Sequence, residues 1–340
     1  MEDEMKRAGI EAMACYLPER AMTNDDFAKA HPDWNVARAE RATGIKSRRV
    51  EEHDVPASAM AIRAAEKLFE TTGTPKAEID FTMVVTQSGD YRMPATACLV
   101  QHRLGLPQSS GAMDINQGCA GYVYGLAAAK ALAENGSARK ILLITVEKTT
   151  FFLHPEDSTL RLLQGDAAAA ALISPDGAAE IGAFDFGTDG SRCDNIIVPY
   201  GGSAEPMERE NGADTRYAYP EFVNMKGMEI FNFSVTTVPK TIAAALQKNG
   251  LEPNDIDYYL FHQANGIIVE TIGASMKIPA EKIPMNIDRV GNTSSCSIPL
   301  LLDEIMREKK PGYGSKILLC GFGVGLSWGT TVLSIREARP

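Results

Sequence analysis

Cys119 is the residue of this chain that is best placed to act as a nucleophile. It lies in "NQGCAG", directly before a small-residue segment that predicts a helix. Free N–H groups at a helix N-terminus stabilise a thiolate, and the neighbouring Gly118 and Gly121 allow a substrate to approach closely. We therefore predict covalent catalysis by Cys119. The alternative is a buried structural thiol, the commoner role of a free cysteine.

Two later residues could complete a site with this thiol. His262 follows the apolar strand pattern "DYYLF", and Asn292 lies in "GNTSSC". Functional groups gather where the strands of α/β proteins end, which favours a role for His262, although a hydrogen-bonded structural histidine remains an alternative. A Gly-Asn-Thr sequence by itself more often marks a turn or a helix cap. A neutral imidazole and a carboxamide both donate hydrogen bonds, and the carboxamide cannot be a base.

An internal repeat indicates how the fold positions these residues. The segment 64–85 matches 241–262, and both predict an amphipathic helix, a glycine stop, a proline-containing loop and an apolar strand. The glycine stops, Gly73 and Gly250, lie 177 positions apart, and a second pair of strands repeats at nearly the same offset. We predict two α/β halves, residues 1–175 with Cys119 and residues 176–340 with His262 and Asn292.

Composition excludes several classes of protein. The chain has 340 residues, is 44% hydrophobic and carries a net charge of −10, which argues against a nucleic-acid partner. Its six cysteines include no CxxC pair, so neither a metal site nor a disulfide framework is predicted. The charged start is unlike a secretory signal and no apolar run reaches about 18 residues, so we predict a cytoplasmic protein without a membrane partner.

The glycine-rich segment "GFGVGLSWGTTVLSI" (321–335) superficially matches a dinucleotide-binding loop. A phosphate-binding loop must open a helix, whereas "TTVLSI" is β-branched and predicts a strand. The segment therefore predicts a strand, a tight turn and a second strand, with a backbone N–H available to a ligand oxygen.

The combination of "GCAG", "FHQAN", "DRVGNTS" and "GFGVGLSWG" on a duplicated α/β chain resembles the thiolase superfamily. Within it, the chain resembles the β-ketoacyl-acyl-carrier-protein synthase III branch over nearly its whole length. The resemblance implies an α/β, thiolase-like fold with five α/β/α/β/α layers and a homodimer.

The resemblance also implies an acyltransferase that catalyses a decarboxylative Claisen condensation. Cys119 would accept a starter acyl group from a CoA or acyl-carrier-protein thioester, and the backbone N–H groups of Cys119 and Val324 would form the oxyanion hole. His262 and Asn292 would stabilise the enolate of a malonyl thioester as CO₂ leaves. No cofactor other than these thioester substrates, and no metal, is implied.

The same resemblance implies four substrate-binding residues. Trp34 would lie at the tunnel entrance, and Asn265 and Phe322 belong to the motifs around His262 and the glycine turn. Met93 stands where the family commonly has a Phe that reaches across the dimer to close the partner's acyl pocket. Because Met is flexible and unbranched, we predict a starter longer or bulkier than acetyl.

The sequence departs from the family pattern at two places, which bear on the carrier partner and on the pathway. The helix predicted after "HQAN" has no cation, so either the carrier differs or Lys226, Lys277, Lys282 and Arg289 provide the positive charge. "NQGCAG" replaces the "AAACAG" of fatty-acid enzymes, which favours a specialised pathway.

Three alternatives remain. One is a non-decarboxylating thiolase-like or HMG-CoA-synthase-like acyl transfer. The second is a cysteine hydrolase, since papain-like proteases also run Cys, His, Asn in chain order, although the "CGSCW" context is absent. The third is a non-catalytic acyl-binding subunit.

Overall fold

A computed structural model describes residues 7–205 and 217–337. The strands are β1 (Gly9–Tyr16), β2 (Ala21–Thr23), β3 (Ser47–Arg49), β4 (Phe81–Val85), β5 (Gly111–Ile115), β6 (Ile141–Glu147), β7 (Ala167–Ser174), β8 (Ala179–Thr188), β9 (Ile196–Ile197), β10 (Asn224–Met225), β11 (Tyr258–Phe261), β12 (Lys316–Gly323) and β13 (Ser327–Ile335). The α-helices are α1 (Asn24–Ala30), α2 (Val36–Thr43), α3 (Ala57–Thr72), α4 (Thr96–Leu104), α5 (Gly121–Glu134), α6 (Ser158–Arg161), α7 (Gly227–Lys248), α8 (Gly266–Ser275), α9 (Ile287–Val290) and α10 (Ser297–Glu308). Short 3₁₀ turns cover Lys76–Glu78, Thr149–Phe152, Gly190–Asn195, Pro253–Asp255, Ala280–Lys282 and Ser294–Cys296.

Two groups of strands form the main sheet, in the order β11-β12-β13-β8-β1-β7-β6-β4-β5. The first strand group comprises β1 and β4 to β7, and the second comprises β8 and β11 to β13. They join where Gly9 and Ile10 of β1 pair with Glu180 and Ala179 of β8. A Cβ at position 9 would lie 2.4 Å from the carbonyl oxygen of Gly177, so this junction requires glycine.

The strands bury both faces, which produces the layers. On β4, Met83 belongs to the central apolar core together with α5 and α10, whereas Val84 belongs to the outer core under α3 and α4. On β12, Leu319 lies in the same central core and Leu318 in the outer core under α7 and α8. Because successive side chains of a strand point to opposite faces, each strand group is covered on both sides. The order is helices, first strand group, helices, second strand group, helices, which confirms the predicted five layers.

The repeated sequence segments form corresponding structures. Helix α3 ends at Gly73 with φ 68°, and α7 is followed by Gly250 with φ 64°, so both glycines adopt the left-handed conformation that terminates a helix. The strands that follow, β4 and β11, lie in different strand groups. The boundary predicted at residue 175 falls in the turn between β7 and β8. The assignment of two duplicated halves stays a prediction.

Helix α5 lies in the middle layer because its small residues admit strands on both sides. It contacts β4, β6 and β7 of the first strand group and β8, β12 and β13 of the second. A Cβ at Gly125 would lie 2.8 Å from Leu143 Cδ1, so a larger residue would push the helix away from β6. The close packing holds the start of α5 at the centre of the molecule.

Candidate active site

Cys119 lies in the loop between β5 and α5, two residues before the helix begins. The backbone N–H groups of Val324 and of Cys119 itself lie near the thiol, and the Ser294 hydroxyl oxygen is 3.8 Å from Sγ. These contacts favour the thiolate, but burial has the larger effect and raises the pKa of Cys119. Desolvation of the thiol therefore opposes the donors near the helix, and covalent catalysis by Cys119 stays a prediction.

His262 follows β11 and is held from two sides. Its backbone N–H donates to the Cys320 carbonyl at 2.8 Å. The Ser297 hydroxyl lies 2.7 Å from Nδ1 and also accepts the N–H of Gln263 at 3.3 Å. The Ser297 hydroxyl can therefore donate its proton to Nδ1, and in that tautomer the ring proton lies on Nε2. Burial lowers the pKa of His262 to about 3, so the imidazole is neutral at pH 7.

Asn292 lies between α9 and the Ser294–Cys296 turn, in a fixed orientation. Its Oδ1 accepts the N–H of Ser294 at 2.9 Å, and Nδ2 donates to the Ala264 carbonyl at 3.2 Å. The Asn292 N–H donates to the Leu163 carbonyl at 2.9 Å, so the backbone is held as well. Nδ2 carries two protons, and one of them remains for a ligand.

The turn between β12 and β13 passes directly over the thiol. The two strands pair antiparallel from Lys316 to Gly323, which confirms the predicted strand, turn and strand. A Cβ at Gly323 would lie 2.8 Å from Cys119 Sγ, so only glycine fits at this point of the turn. The ring of Phe322 meets His262 edge-on, with centroids 5.6 Å apart.

One cavity of about 130 Å³ brings the predicted catalytic groups together. Its lining includes the catalytic and oxyanion-hole predictions Cys119, His262, Asn292 and Val324, and the substrate-binding predictions Asn265 and Phe322. Most of the remaining lining is apolar. Thiol, imidazole and carboxamide thus meet in one largely apolar cavity, where hydrogen bonds to developing charge are stronger than in water.

The other two substrate-binding predictions lie outside that lining. Trp34 stacks on the ring of His31, with centroids 3.9 Å apart, just before α2. Met93 is 83% exposed, near the start of α4. A binding role for either residue stays a prediction, because neither contacts the cavity in the chain as described.

Sequence reasoning missed several polar residues of the cavity, among them Glu147 and Ser294. Glu147 is the last residue of β6 and is 2% exposed. Its carboxyl group accepts hydrogen bonds from the Ser295 hydroxyl at 2.8 Å and from the Gln87 N–H at 3.2 Å. Burial raises the pKa of Glu147 to about 8. Ser294 has φ 50°, a left-handed conformation that is strained for a residue with a side chain. A glutamate that ends an apolar strand was the available signal for Glu147.

The four cations proposed to attract a carrier are mostly engaged. Lys226 pairs with Asp194 at 2.6 Å, and Arg289 pairs with Glu304 at the same distance. Lys282 donates to a backbone carbonyl at 2.6 Å. Of these four cations, Lys277 is left to attract a carrier. The face around α8 therefore offers little positive charge to an acidic carrier protein.

Comparison with known proteins identifies the class and the family. The sequence profile described as 3-oxoacyl-[acyl-carrier-protein] synthase III matches residues 113–190, and its C-terminal profile matches residues 246–335. A β-ketoacyl-[acyl-carrier-protein] synthase III of Clostridioides difficile is 36% identical, over 96% of this chain and 98% of its own length. A crystal structure of a 3-oxoacyl-(acyl-carrier-protein) synthase III superposes with a TM-score of 0.92 at 38% identity, covering 96% of this chain and 99% of its own.

The priming β-ketosynthase of the R1128 polyketide pathway superposes with a TM-score of 0.85 at 27% identity, covering 99% of this chain and 98% of its own. Fold and cavity define a thiolase-fold condensing enzyme of the acyltransferase type. The chain belongs to the β-ketoacyl-acyl-carrier-protein synthase III family, as the resemblance predicted.

Across residues 7–205 and 217–337, no helix is long and apolar enough to span a membrane. In the same ranges, no group of three or more His, Cys, Asp or Glu side chains is arranged to hold a metal ion. The predictions of a cytoplasmic enzyme and of thioester substrates without a further cofactor stay predictions.

Proposed function

We propose that this condensing enzyme works through an acyl group carried on Cys119, followed by decarboxylative Claisen condensation with a malonyl thioester. The observation that carries the proposal is the single cavity that contains the thiol, a neutral imidazole and a fixed carboxamide. Cys119, His262 and Asn292 are the proposed catalytic residues.

In the first half-reaction, Cys119 Sγ attacks the carbonyl carbon of a starter thioester. The new bond forms between sulfur and the acyl carbon, and the leaving thiolate takes up the proton that the thiol gives up. The N–H groups of Val324 and Cys119 already point at the thiol, which supports their role as donors to the tetrahedral oxyanion. Because the resting thiol is protonated, proton transfer accompanies the attack.

In the second half-reaction, the malonyl thioester loses CO₂ and its electron pair becomes an enolate. His262 Nε2–H and Asn292 Nδ2–H would donate to the enolate oxygen, a role that needs a neutral imidazole. The enolate carbon attacks the acyl-cysteine, the C–S bond breaks, and Cys119 recovers a proton as the β-ketoacyl thioester forms. Decarboxylation supplies the carbanion without a general base.

The cavity disfavours a non-decarboxylating thiolase, which resembles this fold but uses a second cysteine as acid and base. Cys119 is the sole cysteine among the described residues of the lining. Cys320 faces away, accepts the Thr330 hydroxyl at 3.2 Å, and has a pKa that burial raises to about 12. Phe322 occupies the corresponding place in the cavity.

We further propose a cytoplasmic homodimer that takes its acyl groups from acyl-carrier protein or CoA in a specialised pathway. The exposed Met93 and Tyr91, near the edge strand β5, suit an interface between two copies. The "NQGCAG" sequence and the likeness to a polyketide priming enzyme favour a pathway other than bulk lipid synthesis.

Intact-protein mass spectrometry tests the proposal. The enzyme is mixed with acetyl-, butyryl- or hexanoyl-CoA, and then with malonyl-CoA. We expect an acyl adduct that disappears as β-ketoacyl product and CO₂ form. Cys119→Ala should form no adduct, whereas Cys98→Ala, which removes an exposed free thiol, should behave as wild type. An adduct that persists in Cys119→Ala, or peptide hydrolysis without any adduct, would overturn the mechanism.

A further inference from the structure

Four polar side chains line the cavity that contains the thiol. We call Gln87, Glu147, Thr149 and Gln164 the polar wall. Two hydrogen bonds fix parts of this wall: the Gln87 backbone N–H donates to the Glu147 side chain at 3.2 Å, and the Thr149 hydroxyl donates to the carbonyl of Gly165, the neighbour of Gln164, at 2.9 Å. An acyl group on Cys119 that meets this wall therefore meets polar atoms on one side of an otherwise largely apolar space.

Gln164 carries the atom of the polar wall that most needs a hydrogen-bond donor from a ligand. Its Oε1 is sealed from solvent and has no hydrogen-bond partner among the described residues. A buried acceptor without a partner costs free energy, so such atoms are rare unless something else satisfies them. Its backbone is fixed, because Asn292 N–H donates to Leu163 and Gly165 N–H donates to Asn292, each at 2.9 Å. The orphan oxygen is thus anchored beside a proposed catalytic residue.

Gln87 supplies hydrogen-bonding capacity even closer to the nucleophile. A Cβ at Gly118, the residue before Cys119, would lie 2.4 Å from Gln87 Oε1, so the carboxamide packs against the loop that carries the thiol. Its Nε2 has only a long contact, 3.5 Å, to Asn116. The Thr149 hydroxyl gives its proton to Gly165 and keeps lone pairs that can accept.

The polar wall suits a neutral group better than an ion. Two of its side chains are carboxamides and one is a hydroxyl, none of which carries a charge. Burial raises the pKa of Glu147 to about 8, so the carboxyl group is mostly protonated at pH 7. An ammonium or carboxylate on the acyl chain would lose its hydration without gaining an opposite charge. A hydroxyl group both donates and accepts, as a wall of amides and hydroxyls requires.

We propose that the natural starter acyl group bears a hydroxyl that donates to Gln164 Oε1. The inference rests on the proposed function, since it describes the acyl group that Cys119 would carry. It makes Gln164 a specificity-determining residue, whereas the apolar part of the lining holds the carbon chain.

Acylation rates of matched thioesters test this inference. Butyryl-CoA is compared with its 2-, 3- and 4-hydroxy derivatives, singly and in competition, and the Cys119 adduct is followed by intact mass. We expect at least one hydroxybutyryl isomer to acylate the enzyme ten times faster than butyryl, because a site built to bind a hydroxyl rejects the analogue that lacks it. In Gln164→Leu the ratio should fall below about two, with butyryl transfer rising.

Control variants and the outcomes below distinguish failure of this inference from failure of the proposed function. Gln108→Leu makes the same change on the surface and should keep the wild-type ratio. Gln164→Met provides a second apolar replacement should leucine prevent folding. If butyryl-CoA acylates the wild-type enzyme as fast as or faster than every hydroxybutyryl-CoA isomer, the polar wall holds only water. The inference is then wrong, while the proposed function stands. If no thioester forms an adduct, the proposed function fails, and the inference with it.

Discussion

Ser297 Oγ lies 2.7 Å from His262 Nδ1, and a hydroxyl proton donated there keeps the ring proton on Nε2. Ser297→Ala removes it, so the ring can rotate or change tautomer and lose its donor to the enolate. We expect the condensation kcat to fall about 10- to 100-fold, in the range of losses that follow removal of a group supporting an acid–base residue. Acylation of Cys119, which does not need that donor, should change less than threefold.

The two half-reactions of Ser297→Ala are measured separately, acylation by single-turnover mass spectrometry and condensation by product formation. Retained acylation also shows that the variant is folded. Equal losses in both steps would mean that Ser297 supports the structure of the site and not the imidazole tautomer.

Titration of His262 should affect stability at acidic pH. Its folded-state pKa of about 3 lies below the usual 6.5, so the unfolded chain binds a proton first as the pH falls. The stabilising contribution is complete above pH 6.5 and is lost progressively toward pH 3. Between pH 7.5 and 5.0, wild type should lose on the order of 2 kcal/mol of unfolding free energy relative to His262→Asn in urea titrations. No difference between the two proteins would show that His262 titrates normally.

Glu147 should have the opposite pH dependence. Its folded-state pKa of about 8 lies above the usual 4.5, so its contribution is complete below pH 4.5 and is lost as the pH rises through 8. Glu147→Gln mimics the protonated acid and should gain about 3 kcal/mol over wild type between pH 6 and pH 9. Urea unfolding at both pH values provides the measurement. Glu66→Gln, at an exposed position, should show no such gain.

Gly323 and Cys119 are in such close contact that one methyl group should disable the nucleophile. Gly323→Ala would place a carbon 2.8 Å from Sγ, and the thiol or the turn must move. We expect acylation to slow more than tenfold, because misplacing a reacting atom by about 1 Å costs rates of that order or more. Gly312→Ala, where a Cβ has open space, serves as the matched control. Normal acylation by Gly323→Ala would show that the turn yields freely.

Met93→Phe tests the proposed role of an exposed residue in chain-length selection. A larger, rigid side chain reaching across a dimer interface should shorten the preferred acyl donor by about two carbons, on the scale of one side chain's added volume. Rates for C2 to C8 acyl-CoA donors give the profile, and sedimentation gives the oligomeric state. An unchanged profile in a dimeric variant would contradict the predicted role of Met93.

The repeated helices and strands and the candidate residues Cys119, His262 and Asn292 could be predicted from local patterns, whereas the five layers and the joint catalytic roles were implied by the family resemblance. The helix, glycine stop and strand of each repeated segment form by themselves, and the motifs around Cys119, His262 and Asn292 are contiguous. The small-residue segment after Cys119 likewise predicted the helix that the structure shows as α5.

The polar residues around the thiol could not be predicted from local sequence patterns. Gln87, Glu147 and Gln164 come from three separate elements and meet only in the folded chain. Burial decided the protonation of Cys119, because the donors around it were easy to foresee but the extent of desolvation was not. Trp34 and Met93 were assigned by resemblance alone, and nothing in their local sequence specifies distance from the cavity.

The junction between the two strand groups has a consequence for how this enzyme loses activity. Cys119 comes from a loop of the first group, whereas His262 and Asn292 follow elements of the second, and β1 and β8 share just two residue pairs. A small parting of the two groups would separate the reacting atoms while every helix and strand stayed intact. Turnover is therefore a sensitive gauge of interlayer docking and should vanish at lower urea than the helical circular dichroism signal.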